Sequence, residues 1–92
     1  MKKYIVEREI PGVGQFSAEQ LKEVAAKSNE VLRTLGPDIQ WLESFLGADR
    51  TFCVYLATDE SWIHKHSALS TFPATKITEI GKLIDVTTAT GN

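Results

Sequence analysis

The stretch Ile39-Gln-Trp-Leu-Glu-Ser-Phe-Leu46-Gly-Ala-Asp-Arg50-Thr-Phe-Cys-Val-Tyr-Leu-Ala57 decides the fold. Two runs rich in β-branched and aromatic residues flank the short turn Gly47–Arg50, which is the pattern of a hairpin. Strict alternation puts Phe52, Val54 and Leu56 on one face of the second run, with Cys53, Tyr55 and Ala57 on the other. In the first run it sets Ile39, Trp41 and Phe45 against Leu42 and Leu46. Both faces are mostly apolar, whereas a sheet with one solvated face alternates to polar. The pattern therefore predicts cover on both sides: helices on one, and an interface or a ligand groove on the other.

The flanking segments complete the pattern. Before the hairpin, Gly36-Pro37 stops a helix, glycine supplying a left-handed cap and proline preventing continuation. Ser17 and Gln20 have the spacing of a capping box at its start, and Glu19 suits the first turn. Between them Leu21, Val24, Ala25, Ser28, Leu32 and Leu35 fall on one stripe at helical spacing. Earlier still, Lys3 to Ile10 reads as a strand running into the loop Pro11–Gly14. After the hairpin, Thr58 or Asp59 caps a shorter helix over Glu60 to Leu69, Phe72-Pro73-Ala74 breaks it, and Ile77 to Val86 reads as a fourth strand before a polar tail, 87–92. The order is βαββαβ, one ferredoxin-like α+β domain over 1–92. Right-handed crossovers give a four-stranded antiparallel sheet with two helices on one face and the first and third strands central. The second apolar face predicts a homodimer of the dimeric α+β barrel kind.

Composition narrows the partners. Ten basic and twelve acidic residues give a net charge of −2, and the basic ones are scattered. A nucleic-acid binder gathers them on one face, so nucleic acid is disfavoured. No apolar run approaches the ~20 residues of a membrane span. The start Met-Lys-Lys-Tyr-Ile-Val runs into Glu7, Arg8 and Glu9, too soon charged for a signal-peptide core. Cys53 is the one cysteine, so no disulfide forms within the chain and a reducing cytoplasm is predicted.

Few residues can carry chemistry. His66 shares a stripe with Trp62, Ile63 and Leu69 and should face the sheet, where an imidazole binds a metal, acts as a base or orients a ligand. A core histidine satisfied by a neighbour is the plainer reading. His64 lies about 200° away around the helix and cannot chelate with His66, though it stands four residues after Glu60. Cys53, on a central strand, offers a soft metal ligand or simply a small buried hydrophobe. Trp41 and Tyr55 suit a pocket wall or an interface. Glu7 and Glu9 share a face and could hold a cation or a polar ligand, or pair with Arg8 of a partner subunit. No phosphate loop, serine elbow, HExxH or CxxC is present.

Several strings together resemble a known family: Tyr4-Ile-Val-Glu-Arg-Glu-Ile-Pro-Gly12, Leu32-Arg-Thr-Leu-Gly-Pro-Asp-Ile-Gln-Trp41, Phe52-Cys-Val-Tyr55, and the Ile63 to His66 helix leading to Phe72-Pro-Ala74. The chain is similar over nearly its whole length to small bacterial ferredoxin-like proteins of formerly unknown function, described as nickel-binding. The resemblance implies a ferredoxin-like dimer and nickel as the cofactor. Glu7, Arg8, Trp41, Cys53, Tyr55 and His66 match the family pattern, with no role attached to any of them, and His64 falls at a position that varies. Imidazole and thiolate both suit Ni(II).

The leading expectation is therefore a cytoplasmic metal-binding protein without evident catalysis, with nickel at His66 or Cys53. The alternative is a cofactor-free small-molecule binder or enzyme whose pocket is lined by Trp41, Tyr55 and His66, with Glu7 as a further ligand-binding candidate. A plain interaction module with an apolar dimer face is the third.

Overall fold

The computed structural model describes residues 1–91; Asn92, the end of the expected tail, lies outside them. The strands are β1 (Lys2–Glu9), β2 (Ile39–Leu46), β3 (Arg50–Ala57) and β4 (Lys76–Ile80), and the helices α1 (Ala18–Leu35) and α2 (Ser61–Ser70). Short 3-10 turns occupy Val13–Gln15 and Val86–Thr90. The sheet order is β2-β3-β1-β4, with every pair antiparallel. This is the ferredoxin-like arrangement, with the first and third strands central.

Local chemistry accounts for α1. Ser17 Oγ accepts from the Gln20 backbone N–H at 3.1 Å, and Gln20 Oε1 accepts from the Ser17 N–H at 2.8 Å, a reciprocal capping box. At the other end Gly36 has φ +87°, and its N–H closes the last turn on Leu32 O. At α2 the N-cap position falls to Glu60, which makes no side-chain cap bond, and not to Thr58 or Asp59; Asp59, one residue earlier, accepts from the Ser61 N–H at 2.8 Å.

Register defines two faces. Tyr4, Val6 and Arg8 of β1 stand beside Tyr55, Cys53 and Thr51 of β3. With Ile39 and Ala57 they form the helix-covered face, where Ile63 of α2 and Leu32 and Leu35 of α1 close the core. The open face carries Ile5 and Glu7 opposite Val54 and Phe52. Ile80 lies beside Lys3 on that face.

Three features differ from the sequence reading. A register shift between Trp41 and Glu43 leaves Leu42 as a bulge. Beyond it the alternation is inverted: Phe45 pairs with Phe52 on the open face, while Ser44 and Leu46 turn toward the helices beside Cys53 and Thr51. Leu69 is exposed, and the inward stripe of α2 is Ile63, His66 and Ser70. Finally, β4 stops at Ile80, not at Val86. Ile80 already pairs with Lys3, one residue from the start of β1, so the ladder has run out of partner. Leu83, Ile84 and Val86 then lie exposed.

The β1–α1 loop is tied to the hairpin turn. Gly12 N–H donates to Asp49 Oδ1 at 2.8 Å and Gly14 N–H to Ala48 O at 2.9 Å. A Cβ on Gly14 would lie 2.7 Å from Gly47 O and 2.9 Å from Ala48 Cα, closer than packed atoms approach.

Candidate functional site

Arg8 belongs to the helix-covered face and is only 2% exposed. Its guanidinium reaches α2 and the segment just beyond it. Nη1 donates to Ser67 Oγ at 3.1 Å, Phe72 O at 3.2 Å and Pro73 O at 2.8 Å. Nη2 donates to Tyr55 Oη at 3.2 Å and meets His66 Nδ1 at 3.4 Å. Thr71, in the left-handed region at φ +64°, bends the chain so that the two carbonyls follow α2 directly.

His66 is completely buried. Arg8 can only donate, so the Nδ1 lone pair faces it, and Nε2 carries the ring proton. That proton goes to Ser28 Oγ of α1 at 3.1 Å. Burial first, and the Arg8 charge second, push the His66 pKa from 6.5 down to about 4. The ring is neutral at pH 7. Tyr55 stacks obliquely on it with centroids 5.5 Å apart. Burial, opposed by Arg8, raises the Tyr55 pKa, so its hydroxyl keeps its proton.

In front of this network lies a cavity of about 530 Å³ between the sheet and the N-terminal half of α1. Such a volume is within the range of small-molecule sites. Phe16, Leu21, Val24, Trp41, Leu46 and Phe72 supply much of its apolar wall, and Arg8, Tyr55 and Ser28 reach it from the network. Arg8 is the one charged residue on the wall among the described residues.

The structure distributes the candidates unequally. Trp41, Tyr55 and Cys53 line the cavity, and Trp41 Nε1 donates to Ser44 Oγ at 2.9 Å. His66 stands one layer behind the wall and touches it through Arg8, Tyr55 and Ser28. Glu7 is on the opposite face of the sheet, where it accepts from Arg50 of the same chain at 3.2 Å. Arg8 points inward and cannot pair with an acid of a partner subunit. His64 is exposed on α2 with Glu60 Oε2 at 3.0 Å.

As a nickel site this donor set does not fit. Both nitrogens of His66 are engaged, and a guanidinium stands beside the lone pair a metal would need. Among the described residues no three His, Cys, Asp or Glu side chains converge closely enough to hold a metal ion.

Sequence reasoning passed over Arg8 as a site residue, along with Ser28 and Ser67. One signal was available for Arg8: it shares alternation parity with Tyr4 and Val6 on a central strand, and a charge there is costly unless satisfied. Ser28, the polar residue in the apolar stripe of α1, carried a weaker signal of the same kind.

A family described as "Nickel responsive protein SCO4226-like" has a model that matches residues 4–80. The crystal structure of SCO4226 from Streptomyces coelicolor A3(2) matches with a TM-score of 0.74 at 9% identity, covering 89% of this chain and 99% of that one. At that identity the likeness speaks for the fold alone. No curated protein matches the chain.

Proposed function

Because the chain belongs to the SCO4226-like family of nickel-responsive proteins, we propose that it takes part in a response to nickel and acts by binding a small, largely apolar molecule in the cavity between sheet and α1. The observation that supports this reading is the cavity itself, about 530 Å³ with a mostly apolar wall and polar groups gathered at one place. Among the described residues the one imidazole beside the cavity is not free to act as a base, since the His66 lone pair is taken by Arg8. N-phenyl-1-naphthylamine, a neutral dye that brightens in apolar surroundings, provides the test. Saturable binding is expected in the wild type and should be lost in Ala25→Phe, which fills the cavity. A dye signal that never saturates overturns the reading, and so does one unchanged in a folded Ala25→Phe protein.

The nickel in the family description gives a second reading, direct nickel binding, although the donors at His66 and Cys53 do not fit it as they stand. For this His66 would have to leave Arg8, whereas the Glu60–His64 pair on α2 is accessible. Titration calorimetry of untagged protein with Ni(II) separates the cases. Affinity lost in His66→Ala or Cys53→Ala supports the buried ligands. Affinity lost only in His64→Ala moves the ion to the helix surface, and no heat with wild type removes direct binding.

We also propose that a second copy covers the open sheet face, and that the protein works in the cytoplasm. Phe45 and Phe52 are 57% and 38% exposed on that face, beside half-buried Ile5, Val54, Leu56 and Ile80. Cys53 is an unpaired thiol, as suits a reducing compartment. Among the described residues no helix is long and apolar enough to cross a membrane.

A further inference from the structure

Arg8 brings a full positive charge into the core, and its five partners are all neutral: two hydroxyls, two carbonyls and an imidazole. Among the described residues no carboxylate lies within ion-pair distance of it. The carbonyls of Phe72 and Pro73, next to the C-terminal end of α2, offset part of the charge. A buried guanidinium with dipoles alone is still short of a counter-ion.

The direction of the hydrogen bonds indicates where a counter-ion would be received. Arg8 donates to Tyr55 Oη, so the hydroxyl proton of Tyr55 is left to be given elsewhere. Its nearby alternative is the Cys53 sulfur, a weak acceptor. His66 donates to Ser28 Oγ, which leaves the Ser28 proton in the same position. Tyr55 and Ser28 both reach the cavity wall, as does Arg8. Two O–H donors, each polarised by a chain that begins at one guanidinium, thus sit at one end of an apolar chamber.

We propose that this cavity binds an organic monocarboxylate with an aromatic or branched apolar body, its carboxylate held by Tyr55, Ser28 and the charge of Arg8. The proposal rests on the binding role given above and names the ligand class for it. A single negative charge matches the single cation on the wall. A phosphate monoester would bring nearly two charges at neutral pH, with no second cation to meet the excess. Phe16, Trp41, Leu46 and Phe72 accept the apolar body, and the chamber has room for two fused rings.

The test uses the whole chain and a matched pair of probes, 1-naphthoate and its uncharged amide, displacing N-phenyl-1-naphthylamine at pH 7. The carboxylate is expected to displace the dye at least tenfold more tightly than the amide, and this gap should disappear in Arg8→Met. Equal displacement by the two in the wild type overturns the proposal while leaving the binding role intact. If the dye does not bind, the binding role above has failed, and calorimetry with 1-naphthoate tests the present proposal by itself: no heat there overturns it. Should Arg8→Met fail to fold, Tyr55→Phe replaces it and is expected to narrow the gap several-fold. A tenfold gap unchanged in whichever folded variant is measured overturns the assignment to this network.

Discussion

The Arg8 network joins five acceptors through one side chain, and its pH behaviour follows from His66. In the unfolded chain the imidazole protonates near 6.5, whereas in the fold it does so near 4. Between those values the unfolded chain takes up a proton that the native state refuses. Stability contributed by neutral His66 is therefore complete above pH 6.5, is lost as pH falls through the window, and changes no further below 4. The full loss is about 3 kcal/mol. Urea unfolding of wild type and His66→Gln at pH 7 and pH 4.5 isolates it: the wild type should lose more stability than the variant. Equal losses would remove His66 as the cause. Replacing Arg8 by Met should cost roughly 3 kcal/mol by leaving Tyr55, His66 and two carbonyls without their donor, again read from urea midpoints. The inward placing of His66 was legible from helical spacing alone. Its partners were not, nor were those of Arg8, which lie 47 to 65 positions away. No local pattern carries such a pairing.

At the scale of elements, legibility followed how local the cause was. The capping box of α1 and its glycine stop are written within a few residues, and both ends of the helix agree with them. The parity of β2 was not legible, because one bulged residue, Leu42, inverts everything after it. The end of β4 is set by where β1 begins, a fact of pairing and not of composition. The β1–α1 loop gives a further expectation. Gly14 has backbone of the hairpin turn where a side chain would stand, so Gly14→Ala must lift the loop or distort the turn. A loss of about 1–3 kcal/mol is expected, with weaker dye binding, because Val13 and Phe16 of that loop form part of the cavity wall. Thermal unfolding together with the dye titration checks both. A variant as stable as the wild type would mean that the loop yields freely.

For the whole molecule, the βαββαβ order was legible because each element announced itself and handedness leaves few topologies. The cavity was not, since its size depends on how far the first half of α1 stands off the sheet. The proposed dimer is a matter of this scale too. Light scattering at micromolar concentration should give twice the 10.2 kDa mass of the chain. Phe45→Glu with Phe52→Lys should give the single mass with helix content unchanged, and a wild-type protein already at single mass would end the dimer proposal. The Arg8 network has one more consequence, which concerns time. Its donor is made before all of its acceptors, and the farthest of them, Pro73, follows 65 positions later. On a ribosome that interval is roughly 3–13 s. Until α2 and the residues after it arrive, the guanidinium lacks every partner but Tyr55, and burying it is costly. The cavity is thus completed only when the chain beyond α2 arrives, since Thr71, Phe72 and Pro73 form part of its wall.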